Sequence, residues 1–269
     1  MSVVVLRSGS LAEDGGFVAL ADVAEVARGV NYRLIGDHMV QLLAARWNLD
    51  AELFRLTGDA DLGVPPIAVQ KPTLVDALLD RGYERSDGNR FGRTLATGSS
   101  GPNASAGARA VVDVLVPAYS SRTRSNVRFA DHLVTTEVPG LAFALRREPV
   151  VLSLELHRLG GEVFEIDVTV PDEVSALALK TLATTVRQKS TDFSDIWRCL
   201  EICFAAGLGP DSFSDHDDIV RSVELVTSLF ADLDGVGMRM VVEDRRLNEQ
   251  AAAALHTRIR ALSARLFGK

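Results

Sequence analysis

The spacing of apolar residues changes part-way along this chain. After the helical patterns of the first 81 residues they fall in short runs or alternate with polar residues up to Val170, and beyond Pro171 they recur about every three and a half residues. On the N-terminal side, residues 17–29 predict a helix that stops at Gly29. The short apolar piece Tyr32-Arg33-Leu34-Ile35 runs into Gly36, and residues 37–47 read as a second helix with Met39, Val40, Leu42, Leu43 and Trp47 on its apolar positions. Asp59 to Val64 is a strand candidate broken by Pro65-Pro66, and Thr73 to Arg81 reads as a surface helix. Arg109 to Pro117 is strongly β in composition. Leu133 to Val170 contains several short strands, among them Val150–Leu156 and Val163–Val170. Residues 97–107, small and polar, predict a mobile loop. Asp172 is placed to cap a helix through Val186, with further helices at 192–206, 215–232 and 248–266. The expected class is α/β in the α+β sense: an N-terminal domain with a mixed sheet over 1–170, then a helical domain over 171–269, without internal repeat.

Composition narrows the setting. With 269 residues, 47% hydrophobic and 24% charged, the chain can bury one large or two modest cores. No stretch approaches the roughly 18 apolar residues of a membrane span, and the apolar run at Val3–Leu6 is short for a signal peptide. Cys199 and Cys203, four apart in a helical pattern with no nearby His, read as core thiols and not as a zinc set, which suits a reducing, cytoplasmic setting. A net charge of −7 argues against a broadly basic, nucleic-acid-coating surface. A local basic groove stays open, because Arg81, Arg85, Arg90, Arg93 and Arg109 crowd one segment and Arg122, Arg124 and Arg128 another.

The candidate chemistry begins at Thr57-Gly58-Asp59-Ala60-Asp61. Two carboxylates one residue apart on a strand share a face, and a hard divalent cation joins such carboxylates to substrate phosphates. Asp113, inside Val111-Val112-Asp113-Val114-Leu115, is a costly charge for a buried strand unless paired or metal-bound. Beside the Asp59 strand it would complete a three-carboxylate set; Glu155 and Asp167 are rival third members. Lys180 interrupts an apolar helix, and Arg187, seven residues on, would share its face. Lys189, Asp192 and Asp195 follow. Lys180 has a plainer reading as a residue snorkelling from the core edge, and Asp192 as a helix-start acid.

Gly36, Thr57-x-Asp59-x-Asp61 and Val112-Asp113-Val114 together resemble the nucleotidyltransferase core of the polymerase-β superfamily. The downstream block Val170-Pro171-Asp172-Glu173, Leu179-Lys180, Ala183, Arg187, Lys189, Asp192 and Asp195-Ile196-Trp197 is similar to that of the AbiEii-type, or MenT-like, nucleotidyltransferase toxins of type IV-class toxin–antitoxin and phage-defence pairs. The resemblance covers about residues 30–205. Asp37 stands where the family has Gly or Ser, and the spacer from Gly36 to the D-x-D is long for the family. The resemblance implies a nucleotidyltransferase-like mixed-sheet domain and a Mg²⁺-dependent transfer of NMP from an NTP to an acceptor hydroxyl. It also implies that the acceptor is the tRNA 3′ end and that a cognate antitoxin protein is a partner. Asp59, Asp61 and Asp113 would be the metal and catalytic carboxylates. Lys180 and Asp195 would join the catalytic set, and Gly36, Thr57, Lys180, Arg187 and Asp192 would bind the nucleotide. Transfer to a small molecule or protein, and an inactive nucleotide-binding relative, are the alternatives.

Overall fold

The computed structural model describes residues 3–50, 57–95, 108–120, 123–129 and 133–268. The expected loop at 97–107 and Arg122 lie outside the described residues. The fold is mixed α and β. Its larger sheet has the strand order β2 (Arg33–Ile35), β3 (Asp59–Gly63), β6 (Arg109–Pro117), β5 (Arg90–Thr94) and β4 (Glu84–Arg85), with β9 (Glu137–Val138) pairing the end of β6. β3 and β6 run parallel, whereas β2 on one side and β5 on the other are antiparallel to them. A second sheet joins β1 (Val4–Arg7), β10 (Val150–His157) and β11 (Val163–Val170), and β7 (Val127–Phe129) forms a hairpin with β8 (Leu133–Thr135).

Strict alternation sets the faces of β6. Ala110, Val112, Val114 and Val116 are buried in the core, which sends Val111, Asp113 and Leu115 to the opposite face. In β3, Ala60 and Leu62 face the core and Asp59 and Asp61 face away from it. The core face of β3 and β6 is covered by α1 (Leu11–Val26), which also packs against β11. α1 starts earlier than the apolar pattern predicts because Ser10 caps it: the Ser10 hydroxyl accepts from the Glu13 amide, and Glu13 accepts from the Ser10 hydroxyl and the Gly9 amide. Its approach to the sheet is close. A Cβ on Gly15 would stand 2.1 Å from the Arg109 carbonyl oxygen.

α2 (Gly36–Arg46) follows β2 directly, and α3 (Thr73–Asp80) and α4 (Leu141–Arg146) complete the N-terminal elements. After Val170 every described element is helical: α5 (Glu173–Ala183), α6 (Ser190–Ala205), α7 (Asp217–Leu229), α8 (Val236–Arg245) and α9 (Glu249–Phe267), with short 3₁₀ turns between. The side chains of Asp172 and Asn248 cap α5 and α9. Buried residues from Val4 to Phe267 form one continuous cluster across the change of periodicity, because α2 packs on α5 and α6. Cys199 and Cys203 are buried free thiols, and burial raises the pKa of both. No helix among the described residues is long and apolar enough to cross a membrane.

α5 departs from its expected length. It ends at Ala183 and not at Val186, because the Thr184 and Thr185 hydroxyls turn back onto the carbonyls of Thr181 and Leu182, each at 2.7 Å. Arg187 therefore sits in the connection to α6 and not seven residues along a continuous helical face.

Gly15→Ala is expected to lower stability by about 2 kcal/mol or more, since the methyl must drive α1 away from the β6 backbone. A urea denaturation curve checks this, and a midpoint equal to that of the parent would show that α1 yields without cost.

Candidate active site

The registers of β3, β6 and β5 bring the acidic residues together. Asp61 is the Cα partner of Asp113 across the β3–β6 pair, and Asp113 is the partner of Arg90 across β6–β5. Partners that directly oppose each other share a face, so Asp59, Asp61, Asp113 and Arg90 lie on the face that α1 does not cover. Glu155 and Asp167 belong to the other sheet, where Glu155 pairs with His157 and Asp167 accepts from Ser153 at 2.7 Å. Asp113 is thus the carboxylate that β-sheet pairing sets beside the D-x-D.

Each of the three has a different environment. Asp59 accepts from the Thr57 hydroxyl at 2.7 Å and pairs with Arg90 Nη2 at 3.1 Å. Asp113 is buried and pairs with Arg90 Nη1, also at 3.1 Å. Asp61 lies half-buried between them, and no described side chain donates a hydrogen bond to it. Burial, reinforced by the charges of Asp59 and Asp113, pushes its pKa up to about 7. Burial likewise raises Asp113 to about 6, against the opposing pull of Arg90. Lys180 offsets part of the rise at Asp61.

Gly36 closes this side of the site. It adopts a left-handed φ of +71°, and a Cβ there would stand 1.9 Å from Asp61 Oδ2. Only a glycine lets the β2–α2 corner sit this close to the carboxylate. The next turn of α2 is pinned by His38, which is buried and hydrogen-bonds through Nδ1 to the Asp59 carbonyl oxygen at 2.9 Å. Burial lowers its pKa to about 4, so the ring is neutral and Nδ1 carries the donated proton.

The helical half contributes the opposite wall. Lys180 on α5 is 3% exposed, and its Nζ donates to Asp37 Oδ1 at 2.7 Å and Asp195 Oδ2 at 2.6 Å. Burial alone would lower the Lys180 pKa, but the two carboxylates overcome it and hold it above the ordinary value. Arg198 takes the other Asp195 oxygen at 2.6 Å. Lys180 is therefore a buried, paired cation and does not snorkel. Arg187 forms a two-point pair with buried Asp192, through Nε at 2.9 Å and Nη2 at 3.0 Å. Its side chain stays half exposed, and with Gly36, Asp61, Glu137 and Lys180 it lines a cavity of about 140 Å³. The neighbouring wall includes Met39, Leu115, Leu179 and Val186. A cleft is thus formed with carboxylates on the sheet side and cations on the helix side.

Several of the arginines are committed within the fold. Arg81 pairs with Asp22 and Glu25, Arg93 with Asp22, and Arg124 with Glu137. Among the described residues no group of three His, Cys, Asp or Glu side chains is arranged to hold a metal. Arg90, between Asp59 and Asp113, stands in their midst. Sequence reasoning counted it only as one of a crowd. It follows the Ser86-Asp87-Gly88-Asn89 turn between β4 and β5, and nothing in the local sequence sets it apart from its arginine neighbours. Asp37, met as a departure from a motif, is the Lys180 partner.

No protein-family model matches this chain, and no curated protein sequence matches it.

Two outcomes follow from these charges. A carboxyl whose pKa is raised in the folded state lowers stability as pH rises from the unfolded value near 4 to the folded value. Asp61→Asn should therefore leave stability unchanged below about pH 4 and raise it by about 1–3 kcal/mol at pH 8 in the cation-free protein. Equal stabilities at pH 8 would contradict the charge conflict. Lys180→Ala strands Asp195 without its main partner and should cost about 3–5 kcal/mol. Thermal unfolding reads this; a shift within error of zero would mean that Asp195 finds another counter-charge.

Proposed function

We propose that the protein is a Mg²⁺-dependent nucleotidyltransferase. One observation carries the reading: Asp59, Asp61 and Asp113 share a sheet face, and Asp61 lines one cavity with Gly36, Lys180 and Arg187. A half-buried carboxylate at Asp61, with no side-chain donor among the described residues and two like-charged neighbours, is chemically suited to a hard cation. Asp59 and Asp61 would hold the metal, with Asp113 completing the set. Bound there, Mg²⁺ would neutralise charge on the phosphate oxygens of the NTP.

The residues of the chain divide the remaining work. The acceptor hydroxyl oxygen bonds to the α-phosphorus as the bond from that phosphorus to the bridging oxygen breaks, and pyrophosphate leaves with the electron pair. Asp113 takes the hydroxyl proton. Thr57 holds Asp59 in orientation through its hydroxyl. Gly36, lacking a side chain, lets the β2–α2 corner close against the Asp61 carboxylate and so places it in the cavity. Arg187 faces the β- and γ-phosphates while Asp192 fixes its guanidinium. Lys180, held by Asp37 and Asp195, adds its charge to the same wall of the cavity. Asp195 acts by holding Lys180. Positioning and electrostatics of this kind carry phosphoryl chemistry.

The resemblance of Thr57-x-Asp59-x-Asp61 and the Lys180–Asp195 block to nucleotidyltransferase toxins supports the tRNA 3′ end as acceptor, in the cytoplasm, and a cognate antitoxin as partner. A second reading, a nucleotide-binding relative without turnover, is favoured by Arg90, whose pairs with Asp59 and Asp113 engage two of the three carboxylates.

The test is transfer itself. Protein incubated with Mg²⁺, total tRNA and each α-labelled NTP in turn should label tRNA, and Asp59→Ala should lower the rate by about 10²-fold or more. Label in a small molecule or a protein would keep the chemistry and change the acceptor. Stabilisation by Mg²⁺–NTP without transfer would favour the binding relative.

A further inference from the structure

We propose that the hollow at the C-terminal end of β6 seats a single-stranded RNA 3′ segment, with Tyr119 as the stacking platform for a base and Arg146 and Arg221 as the cations for its phosphates. The inference rests on the nucleotidyltransferase reading and deepens it by saying where the acceptor strand lies.

β6 leads away from the carboxylates towards this hollow. Beyond Asp113 it passes Leu115, which lines the Asp61 cavity, and it stays paired with Val138 as far as Pro117 and Ala118. Tyr119 follows, about 20 Å along the strand direction from Asp113. A second cavity, of about 370 Å³, opens there and shares Pro139 and Val186 with the first. The early end of α5 at Ala183 puts Val186 on the rim between the two. Tyr32 and Tyr83 are buried, whereas Tyr119 is 69% exposed and lines the second cavity. A ring left in water beside a cavity offers a face on which any base can stack. Arg146, at the end of α4, and Arg221, on α7, line the same cavity, and Arg221 has no ion pair among the described residues. Asp217 and Asp218 balance them. Two charges of each sign make a poor trap for a bare polyphosphate. They suit a nucleotide, whose base amino and ribose hydroxyl groups donate to carboxylates while its phosphate takes a guanidinium. Unstacked bases are available in single-stranded ends and not in a duplex. A strand seated on Tyr119 and running back along β6 would bring its 3′ hydroxyl to Asp113.

Fluorescence anisotropy of a fluorescein-labelled hexaribonucleotide with a free 3′ hydroxyl, titrated with the full chain in EDTA at low salt, tests the seat without turnover. Tyr119→Ala should weaken binding about tenfold, and Tyr119→Phe, which keeps the ring face, should match the parent. Arg221→Gln should weaken binding and lower the slope of log Kd against log salt by roughly 0.7, the share of one phosphate contact. Binding that Tyr119→Ala leaves unchanged, or no binding by the parent, overturns the seat. The transfer assay separates this from the wider reading. Label in tRNA that is lost in Asp59→Ala but unaffected by Tyr119→Ala keeps the transferase and overturns the seat. Tyr119-dependent binding without transfer supports the seat and overturns the transferase. Should Tyr119→Ala prove unfolded by circular dichroism, Arg221→Gln decides: a lower salt slope supports the inference and an unchanged one refutes it.

Discussion

A buried ammonium between two carboxylates ties the two halves of this molecule together. Lys180 comes from the first helix after the last strand, Asp195 from the next helix, and Asp37 from the first turn of α2 against the sheet. Desolvating a lysine and an aspartate is expensive, and only close mutual contact with further hydrogen bonds offsets it. Arg198 supplies one of those bonds to Asp195. Once the three are joined, α2 can sit only where its N-terminal glycine meets Asp61. The cleft between sheet and helices is therefore a consequence of the ion network as much as of the apolar packing around Leu179 and Met39.

Across that cleft the sheet carries an opposite imbalance. The alternation in β3 and β6 that buries Ala60, Leu62, Val112 and Val114 leaves Asp61 facing Asp113 on the other side. A slip of one residue would drive the carboxylates into the core, so the register that the core demands also dictates their convergence. The repulsion this creates is relieved only in part by Arg90. Such a conflict, retained in a fold that is otherwise well satisfied, is the kind of local inconsistency that marks functional sites.

Asp61 and Lys180, on opposite walls, are 119 positions apart in sequence, yet both walls could be seen in the chain before folding. The D-x-D stands out because two acids on one strand face suit a hard cation, although acid-rich tripeptides also serve in turns, and Lys180 because a charge in Val174–Leu182 breaks an apolar pattern. Arg90 had no such contrast. It follows a turn in a polar, arginine-rich stretch, and nothing local distinguishes it from Arg85 or Arg93, which make a contact over Phe91 and a pair with Asp22. Asp37 likewise looks like an ordinary first-turn acid until Lys180 arrives from 143 residues away.

Local chemistry alone was enough for the periods of the strands and helices, the cap at Asp172, the buried thiols and the shared face of Asp59 and Asp61, because each depends on neighbours within a turn or a strand. β1 and α8 were not legible: the first is a four-residue edge strand that pairs with β10, and the second has too weak an apolar stripe to be distinguished from loop. Tertiary structure decided that β3 lies beside β6 and not beside β10, and hence that Asp113, not Glu155 or Asp167, shares a sheet face with Asp59 and Asp61. It also decided that Lys180 is paired and that Arg90 bridges Asp59 and Asp113. These outcomes turn on strand order and on the cost of leaving a buried charge alone, which are properties of the whole packed chain and of no single segment.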